Sequence, residues 1–250
     1  RSNQTDMPFR VSFEPIARMN NEPKSSPGPV GTVRRGRMDA PNKEETSALP
    51  PFAMLPLQQV VLPVTESECK DAVDHLLHAT IIGFDTESRP VFTKGATDDG
   101  PHIVQCATME KTWIFQLHHP ACEQAVKVLL ASDRLLKVGF GLQSDISSVA
   151  RRFGLPMQAV LDLNTVFRQL GYKSSTGLRA GVAIALNQGF HKAKSVSTTN
   201  WAARKLTDAQ IVYAANDAYA ALCVFHAINR DYPRWQQAMP ATIQPFLQGR

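Results

Sequence analysis

The sequence predicts an α/β fold: a mixed β-sheet flanked by α-helices, in a single domain behind a flexible N-terminal tail. Three observations predict it. From Leu57 onward, short apolar strand-like runs alternate with amphipathic helical stretches. Two strands at 103–108 and 113–117 lie close enough to form an antiparallel meander, which makes the sheet mixed. Finally, ten of the 17 prolines fall in the first 63 of 250 residues, and segments of the N-terminal stretch such as 23–29 show no helical or strand period.

The elements follow in order. Residues 1–55 hold segments such as Pro23-Lys24-Ser25-Ser26-Pro27-Gly28-Pro29, which cannot bury enough apolar surface to offset the entropy of ordering them. They read as a flexible tail, docked in places through Phe9, Phe13 and Phe52. A domain spans 56–235, and 236–250 form a C-terminal extension. Residues 57–64 read as a strand. Thr65-Glu66-Ser67-Glu68 has capping-box spacing and opens a helix whose apolar face holds Val73, Leu76 and Leu77. Strand 81–84 is followed by a Gly/Pro-punctuated loop and the meander. A helix at 121–131, a buried strand at 135–140 and a helix at 143–153 come next. A short strand at 160–163 precedes helices at 165–170, 178–186 and 207–230, the last opened by Thr207-Asp208-Ala209-Gln210.

Composition bounds the function. Hydrophobic residues make up 43% and charged ones 20%, with 27 basic against 22 acidic residues and a net charge of +5. A mild basic excess suits a polyanionic partner. No run approaches the roughly 18 consecutive apolar residues of a membrane span, so no membrane partner is expected. Cys69, Cys106, Cys122 and Cys223 are widely spaced, without a CxxC pair. That argues against a zinc site or disulfide framework and suits a reducing compartment. With no apolar secretory run near the N-terminus and acids among its first residues, the expected location is intracellular, cytoplasmic or nuclear.

Acidic residues carry the chemistry. Asp85 and Glu87 follow the 81–84 strand one residue apart, so both side chains take one face. Like charges so close call for a cation. Asp145 follows the 135–140 strand and a glycine turn, Gly139-Phe140-Gly141, near a helix start. Strand carboxyl ends are where open α/β sheets bind ligands. Tyr213 and Asp217 share a face of the last helix, among the small residues Ala214, Ala215, Ala218, Ala220 and Ala221. Each signal has a bland counterpart in solvated acids or plain packing. Their order does not.

The set D-x-E after a strand, D after a strand–glycine turn, then Y-x-x-x-D in a final helix resembles the DEDDy branch of the 3′–5′ exonuclease superfamily. RNase D and Werner-type exonuclease domains, of the ribonuclease H-like superfamily, are the nearer likeness. The match runs through Ile82-Gly83-Phe84-Asp85-Thr86-Glu87, Lys137 to Asp145, Lys192-Ala193-Lys194-Ser195, Thr199-Asn200-Trp201 and Leu206 to Tyr219. Two positions depart from the Werner-type pattern: Ser88 stands where Trp often follows the Glu, and Ser197 where Arg is usual. Val212 occupies the place a histidine takes in the other branch.

The resemblance implies a two-metal-ion phosphodiester hydrolysis, with Asp85, Glu87, Asp145 and Asp217 holding two Mg²⁺ or Mn²⁺ ions and Tyr213 orienting the attacking water. Hard cations prefer oxygen donors, which four carboxylates supply. Nucleic acid is the expected partner. No acid occurs between Leu163 and Thr207, whereas Arg168, Lys173, Arg179, Lys192, Lys194, Arg204 and Lys205 do. One-signed stretches suit a phosphate-contacting surface. Lys192, Lys194 and Arg204 are the candidate contacts, with Trp201 either stacking on a base or acting as a buried anchor. DNA is slightly favoured over RNA, because RNase D usually carries helical domains after the last helix and only about 20 residues follow it here. An RNase D-like exoribonuclease and a non-catalytic nucleic-acid-binding module are the alternatives. His118-His119 and Asp98-Asp99 read as surface features, and Gly139-x-Gly141 as a tight turn.

Overall fold

Among the described residues, six strands form one sheet: β1 (Val60–Val61), β2 (Ile81–Glu87), β3 (Ile103–Ala107), β4 (Thr112–Gln116), β5 (Leu136–Gly139) and β6 (Val160–Asp162). Their spatial order is β1-β4-β3-β2-β5-β6. Only β3 runs against its neighbours; the other pairings are parallel, so the sheet is mixed and mostly parallel. This computed structural model describes residues 38–90, 100–173, 176–191 and 194–247. All of them belong to one unit, 35–250.

The pleat sorts the strands' side chains to two faces. Ile82, Phe84, Val104, Cys106, Trp113 and Phe115 pack under α2 (Glu66–Ala79), α3 (Pro120–Ala131) and α4 (Gln143–Phe153). The opposite face meets α5 (Leu163–Gln169), α6 (Gly177–Leu186), the short α7 (Lys194–Ser197) and the long α8 (Asp208–Asp231). Both anticipated capping boxes are present, at Thr65 and Thr207. α8 has the length and mean hydropathy of a membrane span, yet most of its apolar stretch is buried. A helix apolar on nearly all sides is a core helix when packed this way.

The close approach of α8 has a specific cause. A Cβ on Gly83 would collide with the Ala218 carbonyl oxygen. Glycine on the strand and alanine on the helix thus let backbone rest on backbone, over the middle of β2. Thr112 of β4 adds a hydrogen bond from its hydroxyl to the Ala215 carbonyl, 3.3 Å.

Two expectations need correction. Residues 57–64 are not a continuous strand: a 3₁₀ turn, Leu57–Gln59, leads into the two-residue β1. Pro56 and Pro63 bracket the segment and supply no N–H to a ladder, which confines it to a short edge strand. The chain also packs well before residue 56. Beginning at Met38, it bridges to Tyr172 and forms α1 (Lys43–Ser47) behind an Asn42 capping box. It then docks Phe52 and Leu55 into the core. Phe52 meets Phe190 edge-on, 5.5 Å between ring centres. Phe9 and Phe13 lie outside the described residues. After α8, a 3₁₀ turn (Pro233–Ala238) and α9 (Gln244–Leu247) return Trp235, Met239, Ile243 and Leu247 to the same core as Phe52.

Candidate metal centre

Asp85 and Glu87 lie among the last three residues of β2, and Asp217 lies on α8 one residue before the Ala218 that rests on Gly83. The result is a group of three carboxylates whose ligand oxygens all lie within 4.8 Å of one another. Asp217 is buried, while Asp85 and Glu87 are half-buried. An all-oxygen donor set of that span fits a hard divalent cation. A pocket lined by Phe84, Asp85, Phe140, Gly141, Asn164, Gly177, Leu178 and Asp217 opens beside it.

Asp145 is not drawn into this trio. Strand alternation turns Thr86 away from Asp85 and Glu87, and its hydroxyl donates to the Asp145 carboxylate at 2.5 Å. The Ser144 hydroxyl donates to the other oxygen, 3.3 Å. Asp145 is 8% exposed. Burial raises its pKa, opposed by those hydroxyls. The turn ahead of α4 is stapled by Asp162, whose carboxylate accepts from Gly141 N at 3.0 Å and Leu142 N at 3.2 Å. Gly141 has φ +69°, a conformation that suits glycine. This Gly139-x-Gly141 segment is the tight turn its sequence suggests. Thr86, Ser144 and Asp162 were not singled out by sequence reasoning. The D-T-E alternation carried a signal for Thr86; Asp162, which bonds 20 residues back along the chain, carried none.

Tyr213 lies one turn before Asp217 and is half-buried. Its ring stands 5.9 Å from the Trp201 ring. Trp201 is 1% exposed, packs with Ile103, Ile114 and Leu206, and donates from its indole to the Ser197 carbonyl. It is therefore the buried anchor behind Tyr213, and the stacking role is corrected: the indole face is occupied by protein. Arg204 is exposed, and the backbone beneath it is pinned by Gln116, whose amide donates to the Ala203 and Arg204 carbonyls. Lys192 and the side chain of Lys194 lie outside the described residues, as do Asp98 and Asp99. Lys173 forms a surface ion pair with Asp39, 3.1 Å, so one cation of the basic stretch is already engaged. The His118 and His119 rings lie 4.1 Å apart, tilted by 43°, in the turn before α3, and His119 gives that helix no side-chain cap.

Comparison with known proteins agrees with this architecture. The family model described as 3′–5′ exonuclease matches residues 60–232. The chain is 27% identical over 185 residues to the mouse bifunctional 3′–5′ exonuclease/ATP-dependent helicase WRN, covering 72% of this chain and 13% of that protein. Among solved structures, the Aedes aegypti Nibbler EXO domain superposes with a TM-score of 0.65 at 23% identity, covering 77% of this chain and all of that one. Trypanosoma brucei RNase D in complex with RNA U12 gives 0.62 at 18% identity, over 83% of this chain and 75% of that one. The ribonuclease H-like, RNase D-type fold and the acidic centre thus define the class. The chain belongs to the 3′–5′ exonuclease family. It spans a small fraction of the mouse relative's length.

Proposed function

We propose that this chain is a 3′–5′ exonuclease that hydrolyses phosphodiester bonds from the 3′ end of nucleic acid by a two-metal-ion mechanism. The observation that carries it is the convergence of Asp85, Glu87 and Asp217 at the end of β2. Those three, with Asp145, are the residues that would hold the two Mg²⁺ or Mn²⁺ ions. When bound, such ions supply a more acidic water and neutralise charge on the leaving 3′ oxygen. The protein's own contribution is to hold Asp145 through Thr86 and Ser144, and to place the Tyr213 phenol one helical turn from Asp217, where it orients the attacking water. Arg204, Lys192 and Lys194 would contact the backbone phosphates.

We propose DNA ends as the first substrate. RNA is the second reading, favoured by the likeness to an RNase D solved with RNA. A panel of 5′-labelled DNA and RNA oligonucleotides, blunt, recessed and single-stranded, tests both. Shortening from the 3′ end should require Mg²⁺ or Mn²⁺, stop in EDTA and vanish in Asp85→Ala. Trimming by chelated protein would overturn the metal-dependent assignment, and failure on every substrate would leave only binding.

A further inference from the structure

Gln105 of β3 stands directly opposite Asp85 of β2 and, on its other side, opposite Ile114 of β4. Directly opposed residues share a sheet face, so its carboxamide lies on the face that carries Asp85 and Glu87 and packs against α8. Gln105 is 0% exposed, and neither its Oε1 nor its Nε2 has a hydrogen-bond partner among the described residues. A buried amide left unpaired forfeits its hydration without recompense. An apolar side chain of similar shape would avoid that cost, so the amide needs a reason to be there.

Its surroundings narrow the reason. Along β3 the same face holds Ile103 and Ala107, and across it stands Ile114; none has a side-chain donor or acceptor. Of the two cross-strand neighbours, Asp85 alone can hydrogen-bond through its side chain. An ionised carboxylate offers about four acceptor positions, so Asp85 can take an amide hydrogen beside its other partners.

We infer that Gln105 is a positioning residue for the metal centre. Its Nε2 donates to the Asp85 carboxylate when that carboxylate grips a cation, fixing the rotamer that directs the second oxygen to the ion. Ligating carboxylates are themselves usually hydrogen-bonded, and loss of such an outer partner typically weakens metal binding about 10–100-fold. The inference rests on the exonuclease reading only in requiring that Asp85, Glu87 and Asp217 hold a cation.

The test is direct titration of Mn²⁺, with free ion followed by its paramagnetic resonance, on the wild-type chain, Gln105→Leu and Asp217→Asn. Gln105→Leu should bind Mn²⁺ about tenfold more weakly, while its thermal midpoint equals or exceeds the wild-type value. On an oligonucleotide its rate should fall at limiting Mn²⁺ and recover as Mn²⁺ is raised, with KM for the oligonucleotide unchanged. Wild-type Mn²⁺ affinity in Gln105→Leu would overturn the inference and leave the metal reading intact. A wild-type chain that takes up no Mn²⁺ would sink the metal reading itself, and this inference with it. Should Gln105→Leu fail to fold, Gln105→Met takes its place in the titration, where weakened Mn²⁺ binding supports the inference and unchanged binding overturns it.

Discussion

Lys137 of β5 is fully buried, and its ammonium donates to the Leu129 carbonyl at 3.1 Å and the Ser132 carbonyl at 2.7 Å, around the C-terminal end of α3. Carbonyls at a helix terminus attract a cation, yet burial dominates and draws the lysine pKa down from 10.5 to about 8. The folded chain therefore binds fewer protons than the unfolded one between those values, and stability from this group rises with pH across that window. Below about pH 8 both states are charged and the cost of burial is fully felt. Urea melts at pH 7.5, 9 and 10 should show wild-type stability gaining on Lys137→Met as pH rises; a constant difference would contradict the assignment. At the same scale, the meeting of Asp85, Glu87 and Asp217 was legible only through the order of the acidic motifs and the family resemblance they carry, since each acid taken singly has a bland reading, and Asp145 stands outside their group. The partners of those residues were not legible. Thr86 and Asp162 act through hydroxyl and backbone contacts, to which any strand-end Thr or helix-cap Asp is equally suited. For Trp201 the sequence offered both stacking and anchoring, and its burial beside the Tyr213 ring decides for the anchor.

Among the elements, α8 carries Tyr213, Asn216 and Asp217. Gly83 lets it touch β2, so Gly83→Ala should push the helix off the strand, cost about 1–3 kcal/mol or more by overpacking, and sharply reduce activity by separating Asp217 from Asp85. Chemical denaturation together with Mn²⁺ titration would check both halves. Asn216, one residue before Asp217, is fully buried and mimics a backbone partner. Its Oδ1 accepts from Leu55 N at 2.7 Å and its Nδ2 donates to Leu55 O and Val212 O. Asn216→Ala should cost about 2 kcal/mol by stranding both Leu55 groups, and amide exchange at Leu55 should quicken more than elsewhere. Helix starts were well marked in the sequence, because Thr65 and Thr207 open capping boxes that need no tertiary help. The extent of β1 was not, since an apolar run between two prolines reads as a strand until the missing N–H groups are counted against an actual neighbour.

For the whole molecule, the segment from Met38 to Leu55 is part of the fold. A chain beginning at Met38 should melt well above one beginning at Pro56, because the latter loses burial of Phe52 and Leu55, each worth about 1.5–3 kcal/mol. Equal midpoints would show that this segment docks without stabilising. Alternation of strands and helices made the architecture readable in advance, while the packing of a proline-rich stretch depended on pockets supplied from over a hundred residues away, at Phe190 and Asn216.

Where strand β2 meets α8, main chain bears on main chain, and this would bear on the choice of any ion held there. Side chains can shuffle rotamers to widen or narrow a cage, but a glycine against a carbonyl has nothing left to give in the shrinking direction. The floor and roof of the acidic cleft are thus set at a constant height. Discrimination between a smaller and a larger cation would then fall to how far three carboxylates can swing, so a substitution that lifts the helix by even a fraction of an ångström should shift tolerance toward bulkier ions before it abolishes binding.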